Sequence, residues 1–166
     1  MGSGKTTLGR ALAADLGLSF YDLDWYIRER YRLTVQEIFA QKGESGFRDL
    51  ERRMLHEVAE FEDVVVALGG GTPCFFDNMA YINAQAETVY LKASPQVLAA
   101  HIRMGKGVRP LLQGKTPQEL DAYIHQSLAE REPFYSQARY TLDVDLLDNF
   151  TKIQHSVALL RQLLGL

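Results

Sequence analysis

Two runs in the chain, DVVVALGGG (63–71) and TVYLKA (88–93), are apolar and β-branched without alternation. A strand with one face in water alternates apolar and polar residues. A continuous apolar run belongs to a parallel strand covered on both faces. Parallel strands need long crossovers, and the intervening segments have helical spacing. Residues 5–16 carry Leu8, Ala11, Leu12 and Leu16 on one face, with Gly17 placed as a C-terminal cap. LSFYDLD (18–24) predicts a short strand. Thr34 and Glu37 form a capping box, and 46–61 predicts a helix through Leu50, Met54, Val58 and Phe61. Ser94-Pro95 opens another helix, RYTLDVD (139–145) is a last strand, and 150–164 is a closing helix. This alternation defines an α/β fold around a mostly parallel sheet. No repeat or linker divides the 166 residues, so one domain spanning 1–166 is expected.

Ligands of such sheets bind beyond the carboxyl ends of the strands. Asp22 and Asp24 close the predicted strand 18–24, and Gly69, Gly70 and Gly71 follow the valine run. The chain opens MGSGKTTLGR, the greater part of a phosphate-binding loop G-x-x-x-x-G-K-[ST] without its first glycine. Gly2, Ser3, Gly4, Lys5, Thr6 and Thr7 would present backbone N–H groups to an anion at a helix start. Lys5 would reach the β- and γ-phosphates, and the Thr6 hydroxyl would hold Mg²⁺. The bland alternative is a glycine-rich lead into an amphipathic helix. Read as strand residues, Asp22 and Asp24 share one side, one toward the metal and the other toward a substrate hydroxyl; the alternative is a pair of solvated turn aspartates. The triple glycine admits either close backbone approach to a ligand or a tight turn. Arg48, Arg109 and Arg131 could grip anions through planar forks or could belong to solvated faces. The basic, glycine-bearing segment 105–116 has the composition of a lid or of a surface loop.

A net charge of −3 argues against a nucleic-acid partner, because duplex binding needs a broad basic face. His56, His101, His125 and His155 show no metal-ligand spacing with one another or with Cys74, and His56 and His101 read as packing or surface residues. The single cysteine fits a reducing compartment, no apolar run is long enough for a membrane span, and the cytoplasm is the expected location.

The ordered set GSGKTT, DLD, GFRxLE, GGG, RPLL and ERxPxY resembles the shikimate kinases, small phosphate-binding-loop kinases of nucleoside-monophosphate-kinase type, along essentially the whole chain. The resemblance implies a three-layer α/β/α fold around a parallel five-stranded sheet. Its first strand would lie ahead of Met1, so the natural product is expected to begin upstream. It also implies ATP as co-substrate, Mg²⁺, and phosphorylation of the shikimate 3-hydroxyl by a monomer. On this resemblance Lys5 and Thr6 match the loop lysine and metal-binding hydroxyl, Asp22 the metal-side aspartate, and Asp24 the proton acceptor that holds substrate hydroxyls. Arg48 and Arg131 match the pair that grips the substrate carboxylate, Gly70 a main-chain substrate contact, and Arg109 the lid arginine; Arg103 is a candidate for stacking on the base. A gluconate-kinase-like enzyme and a non-catalytic nucleotide-binding paralogue remain as alternatives.

Overall fold

The computed structural model describes residues 2–104 and 115–166; Arg109 and nearly all of the expected 105–116 lid lie outside them. The chain forms two compact units, one of Lys5–Thr88 and the other of Val89–Leu166 with the amino-terminal residues through Gly4.

In the first unit, α1 (Lys5–Leu16) buries Leu8, Leu12 and Ala13 and packs on β1 (Ser19–Asp22) and β2 (Val64–Ala67). The two strands pair in parallel, from Ser19 opposite Val64 to Asp22 opposite Ala67. β1 is shorter than the sequence pattern suggests. Its last residue, Asp22, accepts hydrogen bonds from the N–H groups of Asp24 (3.1 Å) and Trp25 (3.4 Å), which commits the chain to α2 (Leu23–Tyr31). Asp24 is therefore in a first helical turn, and the expectation that it extends the strand beside Asp22 is corrected.

The capping box forms as expected: Thr34 Oγ1 accepts from Glu37 N–H and Glu37 accepts from Thr34 N–H. The helical span it starts, α3 (Val35–Ala59), runs through the expected 46–61 segment with a kink at Gly43 and stops before Phe61. Gly43, at φ +68° and ψ −179°, is not helical, so the span is two helices joined there: one opened by the capping box that buries Ile38, and the expected second one that buries Phe47, Leu50, Met54 and Val58. Beyond β2, a 3₁₀ turn (Thr72–Cys74) leads into α4 (Asn78–Gln85).

In the second unit, β3 (Val89–Lys92) pairs in parallel with β4 (Tyr140–Asp143). α5 (Pro95–Met104) starts where Ser94 Oγ accepts from Val97 N–H. A second capping box, Thr116 with Glu119, opens α6 (Pro117–Tyr135), and Asn149 caps α7 (Phe150–Leu164). The described strands number four, in two parallel pairs, where a five-stranded sheet lacking its first strand was expected. Each is an edge of a two-stranded sheet, so Val64, Val65 and Val66 are half-buried rather than enclosed. Among the described residues no helix is long and apolar enough to cross a membrane.

Thr34→Ala should lower stability by about 1 kcal/mol, read as a lower urea midpoint at unchanged slope, with Thr34→Ser close to the parent.

Candidate active site

The first unit concentrates its charge around the carboxyl ends of β1 and β2. Asp22 uses one carboxylate oxygen to cap α2 and the other to hold α1: Oδ2 accepts from Thr6 Oγ1 at 2.9 Å and lies 3.3 Å from Lys5 Nζ. The two residues expected to hold a metal thus meet each other, with the loop lysine beside them. Among the described residues no group of three His, Cys, Asp or Glu side chains could enclose a metal. A Mg²⁺ ion fits this donor set only as an ion that keeps waters and takes a few protein oxygens, which is its usual mode.

Asp24 is half-buried one residue into α2. Burial raises its proton affinity above the ordinary value of 3.8, Lys5 and Arg48 oppose that rise, and Asp22 adds to it. Close by is a carboxylate that sequence analysis did not single out. Glu51 is 1 % exposed, accepting from Thr72 Oγ1 at 2.7 Å and from Arg48 Nη1 at 2.9 Å. Burial raises its proton affinity too, against the pull of those two bonds. Asn78, fully buried, donates to the Thr72 carbonyl at 2.8 Å and steadies the turn that carries this hydroxyl. The E of GFRxLE, one helical turn after Arg48, was the available sequence signal for Glu51.

Arg48 is enclosed on several sides. Its guanidinium lies 4.1 Å from the Phe75 ring centroid and 5.2 Å from that of Phe47, and Glu44 meets Nη2 at 3.4 Å. Its Nε is buried with no partner. The glycine run is what makes room: a Cβ on Gly71 would stand 2.7 Å from Arg48 Nη2, and one on Gly69 would stand 3.0 Å from Asp24 Oδ1. Close approach is thus the reason for those two glycines, here to the protein's own side chains. Cys74 is half-buried, with Sγ 3.9 Å from the Gly70 carbonyl.

Gly2, Ser3 and Gly4 are half-buried in the second unit, while Lys5 and Thr6 are half-buried and Thr7 exposed in the first. Arg131 is half-buried on α6, beside Leu98, Ile124 and Tyr135 at a small cavity. Arg103 is exposed at the end of α5. His101, expected as a packing or surface residue, is 9 % exposed with both ring nitrogens bonded, and His56 stacks on Tyr81 at 3.7 Å.

A lysine and a threonine opening a helix after a GSG turn, both bonded to an aspartate that ends the next strand, define a phosphate-binding-loop protein of the α/β class. The shikimate kinase family model matches residues 1–158, and the chain belongs to that family. It is 54% identical to a shikimate kinase of Bacteroides fragilis over all 166 residues, covering 93% of that protein. The crystal structure of the shikimate kinase of Bacteroides thetaiotaomicron matches with a TM-score of 0.98 at 53% identity, covering 100% of this chain and 94% of that one. The shikimate kinase of Acinetobacter baumannii in complex with shikimate matches with a TM-score of 0.85 at 31% identity, covering 99% and 89%. The fold is thus that of this family, α/β with parallel strands.

Because folding raises the proton affinity of Asp24, its protonated form contributes stability below its unfolded value of 3.8, and that contribution is lost as pH rises through the folded value. Asp24→Asn should therefore melt higher than the parent at neutral pH, with the gap closing below about pH 4. Thermal melts across that range would show the reverse trend if Asp24 were stabilised as a carboxylate.

Proposed function

We propose that this chain is a shikimate kinase, transferring the γ-phosphoryl group of ATP to the 3-hydroxyl of shikimate in the cytoplasm as a monomer. The observation that carries the reading is the family match along residues 1–158, which coincides with a built carboxylate-and-guanidinium site at the strand ends.

Phosphoryl transfer runs through a loose transition state with charge on the equatorial oxygens, so the protein contributes position and charge. The N–H groups of Gly2, Ser3, Gly4, Lys5, Thr6 and Thr7 hold the nucleotide phosphates, and Lys5 Nζ neutralises their terminal oxygens. Thr6 and Asp22 would hold Mg²⁺, which supplies positive charge to the same oxygens when bound. Asp24 orients the 3-hydroxyl and accepts its proton. Its burial makes it a stronger base than an exposed aspartate, and the Lys5 charge opposes that shift. Arg48, held by Glu51 and flanked by two rings, takes the substrate carboxylate, with Arg131 as its second cation and Gly70 offering main chain. The unpartnered Nε of Arg48 leaves one donor of the fork unsatisfied, as a site awaiting an oxygen ligand requires. Arg109, outside the described residues, supplies a further cation to the phosphates, from a lid spanning 105–116.

Nucleotide turnover measured by coupled ADP release should rise on adding shikimate and stay at background with gluconate or no acceptor; equal rates with all three refute the reading. Arg48→Ala should raise KM for shikimate about 30-fold or more, since truncating one side of a buried charge pair costs about 2–5 kcal/mol, and leave KM for ATP within about twofold. Asp24→Asn should lower kcat about 100-fold or more, with smaller effects on either KM.

A further inference from the structure

The second unit holds a histidine to which the mechanism above gives no part. His101 lies on α5, is 9 % exposed, and has both ring nitrogens engaged. Leu147 N–H donates to Nε2 at 2.9 Å, so Nε2 carries the lone pair. The proton of the neutral ring is then on Nδ1, which lies 2.6 Å from the Gly2 carbonyl and donates to it. One imidazole thus ties the phosphate-binding turn to the segment that follows β4.

The consequence comes from the peptide plane. In a trans peptide the carbonyl and the next N–H point in opposite directions. Holding the Gly2 oxygen on His101 therefore turns the Ser3 N–H away from α5. The same surroundings fix the rest of the turn. Gly2 has φ +69°, and a Cβ there would stand 3.1 Å from the Leu98 carbonyl. Gly4 has φ +83°, and a Cβ there would clash with Leu147 Cδ1. Leu147 is buried, so the residue that donates to the ring also packs against the turn.

We propose that His101 is a positioning residue for nucleotide binding: its Nδ1–H locks the Gly2–Ser3 peptide so that the Ser3 N–H is set toward the phosphate before the nucleotide arrives. This rests on the kinase reading of the same loop. Preorganisation of this kind removes an ordering cost from binding and leaves the acceptor substrate untouched.

Two near-isosteric changes separate the two bonds. In His101→Asn an amide N–H can stand where Nδ1 stands, keeping the Gly2 bond and losing the Leu147 bond. In His101→Gln a carbonyl can stand where Nε2 stands, keeping the Leu147 bond and losing the Gly2 bond. His101→Gln should raise KM for ATP about tenfold, and the calorimetric Kd for ATP equally, with KM for shikimate within about twofold. His101→Asn should stay within about threefold of the parent on all three. The proposal is overturned if His101→Gln leaves ATP binding unchanged, if it shifts both KM values alike, or if His101→Asn loses as much as His101→Gln. Should neither variant fold, ¹⁵N NMR of the parent's histidines decides: a neutral His101 ring protonated on Nδ1 supports the lock, and a proton on Nε2 refutes it. The calorimetric comparison stands even if the parent fails to phosphorylate shikimate, an outcome that would remove the assigned acceptor and leave the phosphate turn to be judged separately.

Discussion

The carboxylate of Asp22 is the point on which the first unit's functional end depends. One oxygen starts α2, and the other receives the hydroxyl and ammonium groups that open α1. A single side chain thereby fixes where a strand stops, how the following helix leaves it, and where the loop lysine points. Each bond is worth only about 1 kcal/mol net, but all of them share one anion. A neutral side chain at this position would loosen a helix start and release Lys5 together.

The next layer of the site is held by charges placed where they are costly. Glu51 and Arg48 form a pair with side-chain exposures of 1 % and 14 %, and desolvation of such a pair commonly offsets its attraction. What the pair contributes is direction. Thr72 and Arg48 fix the two Glu51 oxygens, and Glu51 in turn fixes one edge of the guanidinium. Asp24 shares this partly dehydrated setting, where burial raises its proton affinity against the opposing charges of Lys5 and Arg48.

Much of the architecture was legible because it rests on local chemistry. The Thr34–Glu37 box, the Ser94-Pro95 start and the helical stripe at 5–16 are signals carried by a few neighbouring residues, and all three appear as read. The strand through Asp24 was misread because Phe20, Tyr21 and Leu23 extend an apolar run past Asp22, while an aspartate at position 22 captures two N–H groups and ends the strand early. The separate helix over 46–61 was legible too, because Gly43 leaves helical geometry (φ +68°, ψ −179°) just before it, although that helix ends at Ala59 rather than Phe61. Glu51 escaped notice because a lone glutamate on an amphipathic helix is ordinarily solvated, and only Thr72, 21 residues away, reveals it as buried. His101 was read as a packing or surface residue. Its partners, 99 and 46 residues distant, could not be read from spacing.

The two phenyl rings beside Arg48 restrict how anything can reach it. Phe75 and Phe47 lie beside its guanidinium, Gly71 stands against its amino groups, and Glu51 and Glu44 meet Nη1 and Nη2. A planar guanidinium can lie against a ring and meet two carboxylates at once, which a lysine ammonium cannot match.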